Sequence, residues 1–68
     1  MTINITELNE LQKEKLRGAI KFFAGDRVNI KLQIKDKEEI KPCGALFLDE
    51  KILNIFKELV GEHNITLE

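Results

Sequence analysis

Asp49-Glu50-Lys51-Ile52-Leu53-Asn54-Ile55-Phe56-Lys57-Glu58-Leu59-Val60-Gly61-Glu62-His63-Asn64-Ile65 sets the architecture of this 68-residue chain. Ile52, Ile55, Phe56, Leu59 and Val60 recur at the spacing of one helical face. Asp49 stands just ahead of them, where a short carboxylate accepts from the unpaired N–H groups of a first helical turn. Gly61 follows the last apolar pair, where helices commonly end on a residue with positive φ. Asn64-Ile65-Thr66 then opens a short extended segment. A capped amphipathic helix followed by a strand is therefore expected here.

Upstream of it, the clearest pattern is Val28-Asn29-Ile30-Lys31-Leu32-Gln33-Ile34. Its apolar and polar residues alternate, so one face is expected in the core and one in water. Lys35-Asp36-Lys37-Glu38-Glu39 reads as the charged tip of a hairpin. The return strand, Ile40 to Leu48, is irregular: Pro42 cannot donate to a ladder, and Gly44 invites a bulge. A sheet edge tolerates Pro42 best, and Leu46 or Phe47 is expected to reach the core. Further back, Thr2-Ile3-Asn4-Ile5-Thr6 alternates as a first strand, with Ile3 and Ile5 on one face. A helix is expected from about Glu7 to Phe23, with Leu16, Ala19, Ile20 and Phe23 on one face and Leu8 and Leu11 extending it. Gly18 weakens its middle by about 1 kcal/mol relative to alanine. Gly25, in Ala24-Gly25-Asp26, is expected to cap its end in the left-handed conformation.

The element order is β-α-β-β-α-β in one domain, residues 1–68. Each helix carries one apolar stripe and the sheet has one polar face, which implies a two-layer α+β sandwich with both helices on one side. A ferredoxin-like sheet is the first expectation, and a partial open α/β sheet is the alternative. Two features suggest one domain cut from a longer chain. Met1 directly precedes a strand-like segment, and Leu67-Glu68 is the dipeptide that a common cloning junction leaves; Leu67 reads equally well as the end of the last strand.

Composition narrows the chemistry. Hydrophobic residues make up 43% and charged residues 34%, as in globular proteins. With one cysteine there is no intramolecular disulfide, and the chain reads as cytoplasmic. No apolar run approaches the ~20 residues that span a bilayer. The chain has no serine, so a Ser–His–Asp arrangement is excluded, and Cys43 and His63 show no supporting pattern. Cys43 reads as an inert, partly buried small residue. Neither a metal nor a cofactor is expected, and no catalytic residue is assigned. Gly25 and Gly61 each follow a helix, whereas a phosphate-binding glycine loop precedes one.

Two surfaces remain as candidates for binding. Leu53 and Val60 flank one side of the second helix and Phe22 flanks the first, with Lys57 and Glu58 at the rim; together they suggest a protein-docking patch. Lys31, Lys35, Lys37 and Lys41 around the hairpin suggest a nucleic-acid module. That alternative is weakened by the interleaved Asp36, Glu38 and Glu39 and by the absence of aromatic residues on the expected sheet face. A net charge of −1 adds no drive towards phosphates. A regulatory ligand-binding domain of the same strand order is the third reading, and it would need a dimer to form its site.

The two halves of the chain resemble the extreme C-terminal domain of the bacterial replicative DNA polymerase III alpha subunit. Leu16, Gly25, Asp26, Val28 and Leu32 fit the family's helix, Gly-Asp turn and alternating strand. Asp49, Leu53, Phe56, Leu59, Val60, Gly61, Glu62, Asn64 and Ile65 fit its closing helix and strand. Ala24 departs from a frequent proline, and Pro42-Cys43-Gly44-Ala45 is an unusual lead into the second helix. The resemblance implies a non-catalytic tether within a DNA-directed DNA polymerase, a nucleotidyltransferase whose active site lies in other domains. Its implied partners are the clamp-loader tau subunit and the rest of the parent polymerase, with no direct DNA contact, no membrane, and a monomeric isolated domain.

Overall fold

A hairpin forms the outer half of the sheet in the computed structural model, which describes residues 1–67. Its strands are β2 (Ile30–Asp36) and β3 (Glu39–Leu46), joined by Lys37 and Glu38, with Lys37 at φ 57°. The first strand, β1 (Thr2–Asn4), lies on the other edge of β2 and runs parallel to it. The last, β4 (Ile65–Thr66), pairs antiparallel with β1, giving the order β3-β2-β1-β4. Glu68, half of the suspected junction dipeptide, lies outside the described residues.

The α+β class expected from the sequence is present, as a mixed four-stranded sheet with two helices. Its strand order is that of the open sheet and not of the ferredoxin-like one. A split β-α-β arrangement would place β3 between β1 and β2, paired on both edges. β3 is unfit for that place. Pro42 has no N–H to donate, and the register slips by one residue between Lys31↔Ala45 and Gln33↔Pro42. Gly44 takes φ 89° at this bulge, a conformation that favours glycine. β1 accordingly joins the regular edge of β2, with Ile3 opposite Ile34.

The bulge also decides which residues of β3 are buried. Without it, Ile40 and Leu46 would share a face, because side chains alternate along a strand. With it, Leu46 pairs with Ile30 on the helix side and is fully buried, whereas Ile40 pairs with Lys35 on the open side and is 53% exposed. β2 starts two residues later than its pattern suggests. Asn29 leaves the alternation to hold Leu48, donating Nδ2–H to its carbonyl and accepting from its N–H, both at 2.8 Å. Val28 is left exposed.

Helix α1 (Glu10–Phe23) begins three residues after the expected start, because Asn9 and Gln12 form a reciprocal capping box. Asn9 Oδ1 accepts from Gln12 N–H at 2.8 Å, and Gln12 Oε1 accepts from Asn9 N–H at 3.1 Å. Its end differs too. Ala24 closes the helix in an extended conformation, and Gly25 does not adopt positive φ. Helix α2 (Glu50–Val60) has the limits read from sequence: Asp49 accepts from Ile52 N–H at 2.8 Å, and Gly61 follows at φ 90°. A 3-10 turn (Glu62–Asn64) leads into β4, and the buried Asn64 amide donates to the Val60 carbonyl at 2.7 Å.

Both helices pack on one side of the sheet. Phe56, Val60 and Leu16 join Met1, Ile3, Leu8, Leu32 and Leu46 in one buried cluster. The Phe23 and Phe56 rings meet at 5.9 Å between centroids and tie the helices together. Phe56→Ala is expected to cost about 3–5 kcal/mol in urea unfolding; a loss below about 1 kcal/mol would contradict this placement. At Gly61 a Cβ would stand 2.9 Å from His63 Cε1 and the backbone would be strained. Gly61→Ala is therefore expected to cost about 1–3 kcal/mol by the same measurement.

Candidate functional site

Two helices do not cover four strands. On the helix side of the sheet, β3 presents Lys41 and Cys43, both exposed, where a third helix would otherwise pack. An open trough results between α1 and the hairpin. It consists of adjoining hollows of about 390 and 210 Å³ that share Ile5, Ile34 and Cys43. Towards the hairpin tip its walls are Asp36, Glu39, Lys41 and Pro42. Towards α1 they are Lys13, Leu16, Arg17 and Ile20. Ile5, Ile20 and Ile34 are half-buried and form the apolar floor, so a partner could remove further apolar surface from water.

The charges around the trough are unevenly distributed. Lys41 is paired with Glu39 at 3.6 Å near the tip, with Asp36 beside them. Along α1 the ionisable lining groups are Lys13 and Arg17, one turn apart. Lys13 reaches Glu10 at 3.8 Å, but that carboxylate is almost wholly in solvent, where such a pair contributes little. A third hollow, of about 350 Å³, lies between the start of α1 and the end of α2. Leu11 and Ile55, 59% and 43% exposed, line it with Lys15, Glu58 and Leu59.

The docking patch read from sequence does not form. Val60 is only 3% exposed and offers no surface, while Leu53 is half-buried and packs against the core. The stripe of α2 centres on Phe56, which rotates Leu53 inward and Ile55 outward from their expected places; residues advance by about 100° each. Lys57 is partly covered and pairs with Glu62 at 3.6 Å at the helix exit. Glu58 is exposed, on the hollow shared with α1. Phe22 is 80% exposed and sits edge-on to Phe23, with ring centroids 5.1 Å apart. Leu11, expected on the buried stripe, is instead largely in solvent.

Nor do the four hairpin lysines converge. Lys31 and Lys35 share the open face of the sheet with Gln33, and Lys37 occupies the turn. Lys41 sits opposite Ile34 on the helix side. Lys37 N–H is held by Thr6 Oγ1 at 2.6 Å, which fixes the turn against the exit of β1. Cys43, expected to be partly buried, is exposed at the trough's mouth because the bulge lies at a sheet edge. Among the described residues no group of three His, Cys, Asp or Glu side chains could hold a metal ion, and no helix is long and apolar enough to cross a membrane.

Sequence reasoning missed Ile5, Lys13, Arg17, Ile20 and Ile34 as a joint surface. A partial signal was present: Lys13 and Arg17 run beside Leu16 and Ile20 at the same four-residue spacing, a basic margin to an apolar stripe. Compared with protein families, curated proteins and solved structures, the chain gives no match. Leu53→Ala and Val60→Ala are expected to destabilise the domain by roughly 1–4 kcal/mol, whereas Phe22→Ser should stay within about 0.5 kcal/mol of the parent. Equal effects in a urea series would restore the original patch.

Proposed function

We propose that this is a non-catalytic protein-docking domain. Following the resemblance, we assign it to the C-terminal end of a bacterial replicative DNA polymerase III alpha subunit, acting in the cytoplasm during DNA replication. Its role is to attach the polymerase to the tau subunit of the clamp loader, while DNA synthesis is carried out by other domains of the parent chain. The trough between α1 and the hairpin carries the docking reading, because it offers partly exposed isoleucines within a charged rim. Association at such a surface gains from apolar burial and takes its specificity from the rim.

The partner's identity rests on the resemblance alone. Of the residues that carry it, Leu16 and Leu32 in the first half and Asp49, Phe56, Val60, Gly61 and Asn64 in the second build the core, the α2 cap and the helix exit, whereas Val28 is exposed and Gly25 does not take positive φ. They define a scaffold, and apart from Leu16 none of them lines the trough.

Heteronuclear NMR titration of the labelled domain with the C-terminal portion of the same organism's tau subunit tests the assignment. Localised shifts around Ile5, Ile20 and Ile34 are expected, with no comparable response to short single-stranded DNA. Silence towards tau, with shifts along Lys31 to Lys37 that fade steeply as salt rises, would replace this reading with the nucleic-acid one.

A further inference from the structure

We infer that the trough takes an acidic, aliphatic peptide segment, with its apolar side chains on Ile5, Ile20 and Ile34 and its carboxylates towards Lys13 and Arg17. This rests on the docking reading above and adds the chemistry of the bound segment. The argument is one of charge and shape. The floor is apolar and incompletely covered, because β3 extends past the helical layer. The wall along α1 carries Lys13 and Arg17, with no carboxylate lining that end of the trough. At the opposing end Lys41 is paired with Glu39 and Asp36 stands alongside, so that end carries no free positive charge. A segment with carboxylates along one margin thus matches the α1 wall, while a basic segment meets two like charges there.

Such an arrangement sets orientation as well as sign. Like charges brought together at an interface are penalised, and complementary ones speed encounter and fix register. An acidic helix or extended segment lying along α1 would place its carboxylates beside Lys13 and Arg17 and leave Cys43 at its opposite margin. Cys43 is the only cysteine of the chain and is exposed, so one fluorophore or spin label can be attached at the trough's mouth.

Two synthetic amphipathic peptides of leucine, alanine and glutamate, or of leucine, alanine and lysine, serve as probes against isoleucine-methyl-labelled protein. The glutamate peptide should shift the methyls of Ile5, Ile20 and Ile34 and leave Ile40 and Ile55 unmoved; the lysine peptide should bind at least about tenfold more weakly. Arg17→Glu should weaken the glutamate peptide about tenfold, and the K13E/R17E double variant should reverse the preference between the two peptides. Unchanged Ile3 methyl signals would show that the core of each variant is intact. Equal response to both peptides, shifts centred on Ile40 or Ile55, or trough shifts that grow with protein concentration in the absence of peptide would each overturn the inference, the last in favour of a second copy. Tau binding elsewhere with the trough silent would overturn the inference and leave the tau assignment standing. Glutamate-peptide binding in the trough with tau silent would do the reverse.

Discussion

The bulge at Cys43 and Gly44 is the constraint on which most of this structure depends. One extra residue in β3 changes which face each side chain meets, so Leu46 enters the core and Ile40 leaves it. The same irregularity, with Pro42 beside it, confines β3 to the sheet edge. An edge strand with a bulge and charged neighbours is also a poor template for pairing with another chain, which protects a small domain from edge-to-edge association. Because β3 stays at the edge, β1 takes the other side of β2 and the order becomes β3-β2-β1-β4. The trough follows from the same geometry, since the helix side of β3 at Lys41 and Cys43 is left uncovered by α1 and α2.

The helical layer is held by fewer contacts, and they are aromatic and terminal. Phe56 is wholly buried, and its ring meets Phe23 from the other helix. The helix ends are closed by side chains: Asn9 and Gln12 on α1, Asp49 and Asn64 on α2. Each closure satisfies backbone groups that a helix leaves open and fixes where the chain departs towards its next strand. A domain of this size has little core to spare, so these local devices matter for its stability. Among the described residues, every buried side-chain nitrogen and oxygen has a hydrogen-bond partner.

The binding reading illustrates how position along a helix and position in a fold diverge. Leu53 and Val60 flank the apolar stripe on paper, yet both contribute to the core once α2 is seated on Phe56. The surface that remains open is assembled from residues far apart in sequence: Ile5 after β1, Lys13 to Ile20 on α1, Ile34 on β2 and Cys43 on β3. The docking function proposed here uses that assembled surface, and the resemblance to a replicative polymerase domain suggests its partner. The segments carrying the resemblance build the scaffold that presents it.

Local chemistry was legible in the residues themselves. The limits of α2, the alternation of Ile30, Leu32 and Ile34, the glycine bulge and the edge position of Pro42 all follow from caps, side-chain period and a missing N–H. These are interactions between near neighbours, which a short stretch of sequence contains in full. Strand order, the rotation of α2 that turns Leu53 inward and Ile55 outward, and the trough between α1 and the hairpin were decided only by tertiary structure. Each depends on which distant surface covers a given face, and a periodic pattern shows that a face is apolar without showing what will cover it.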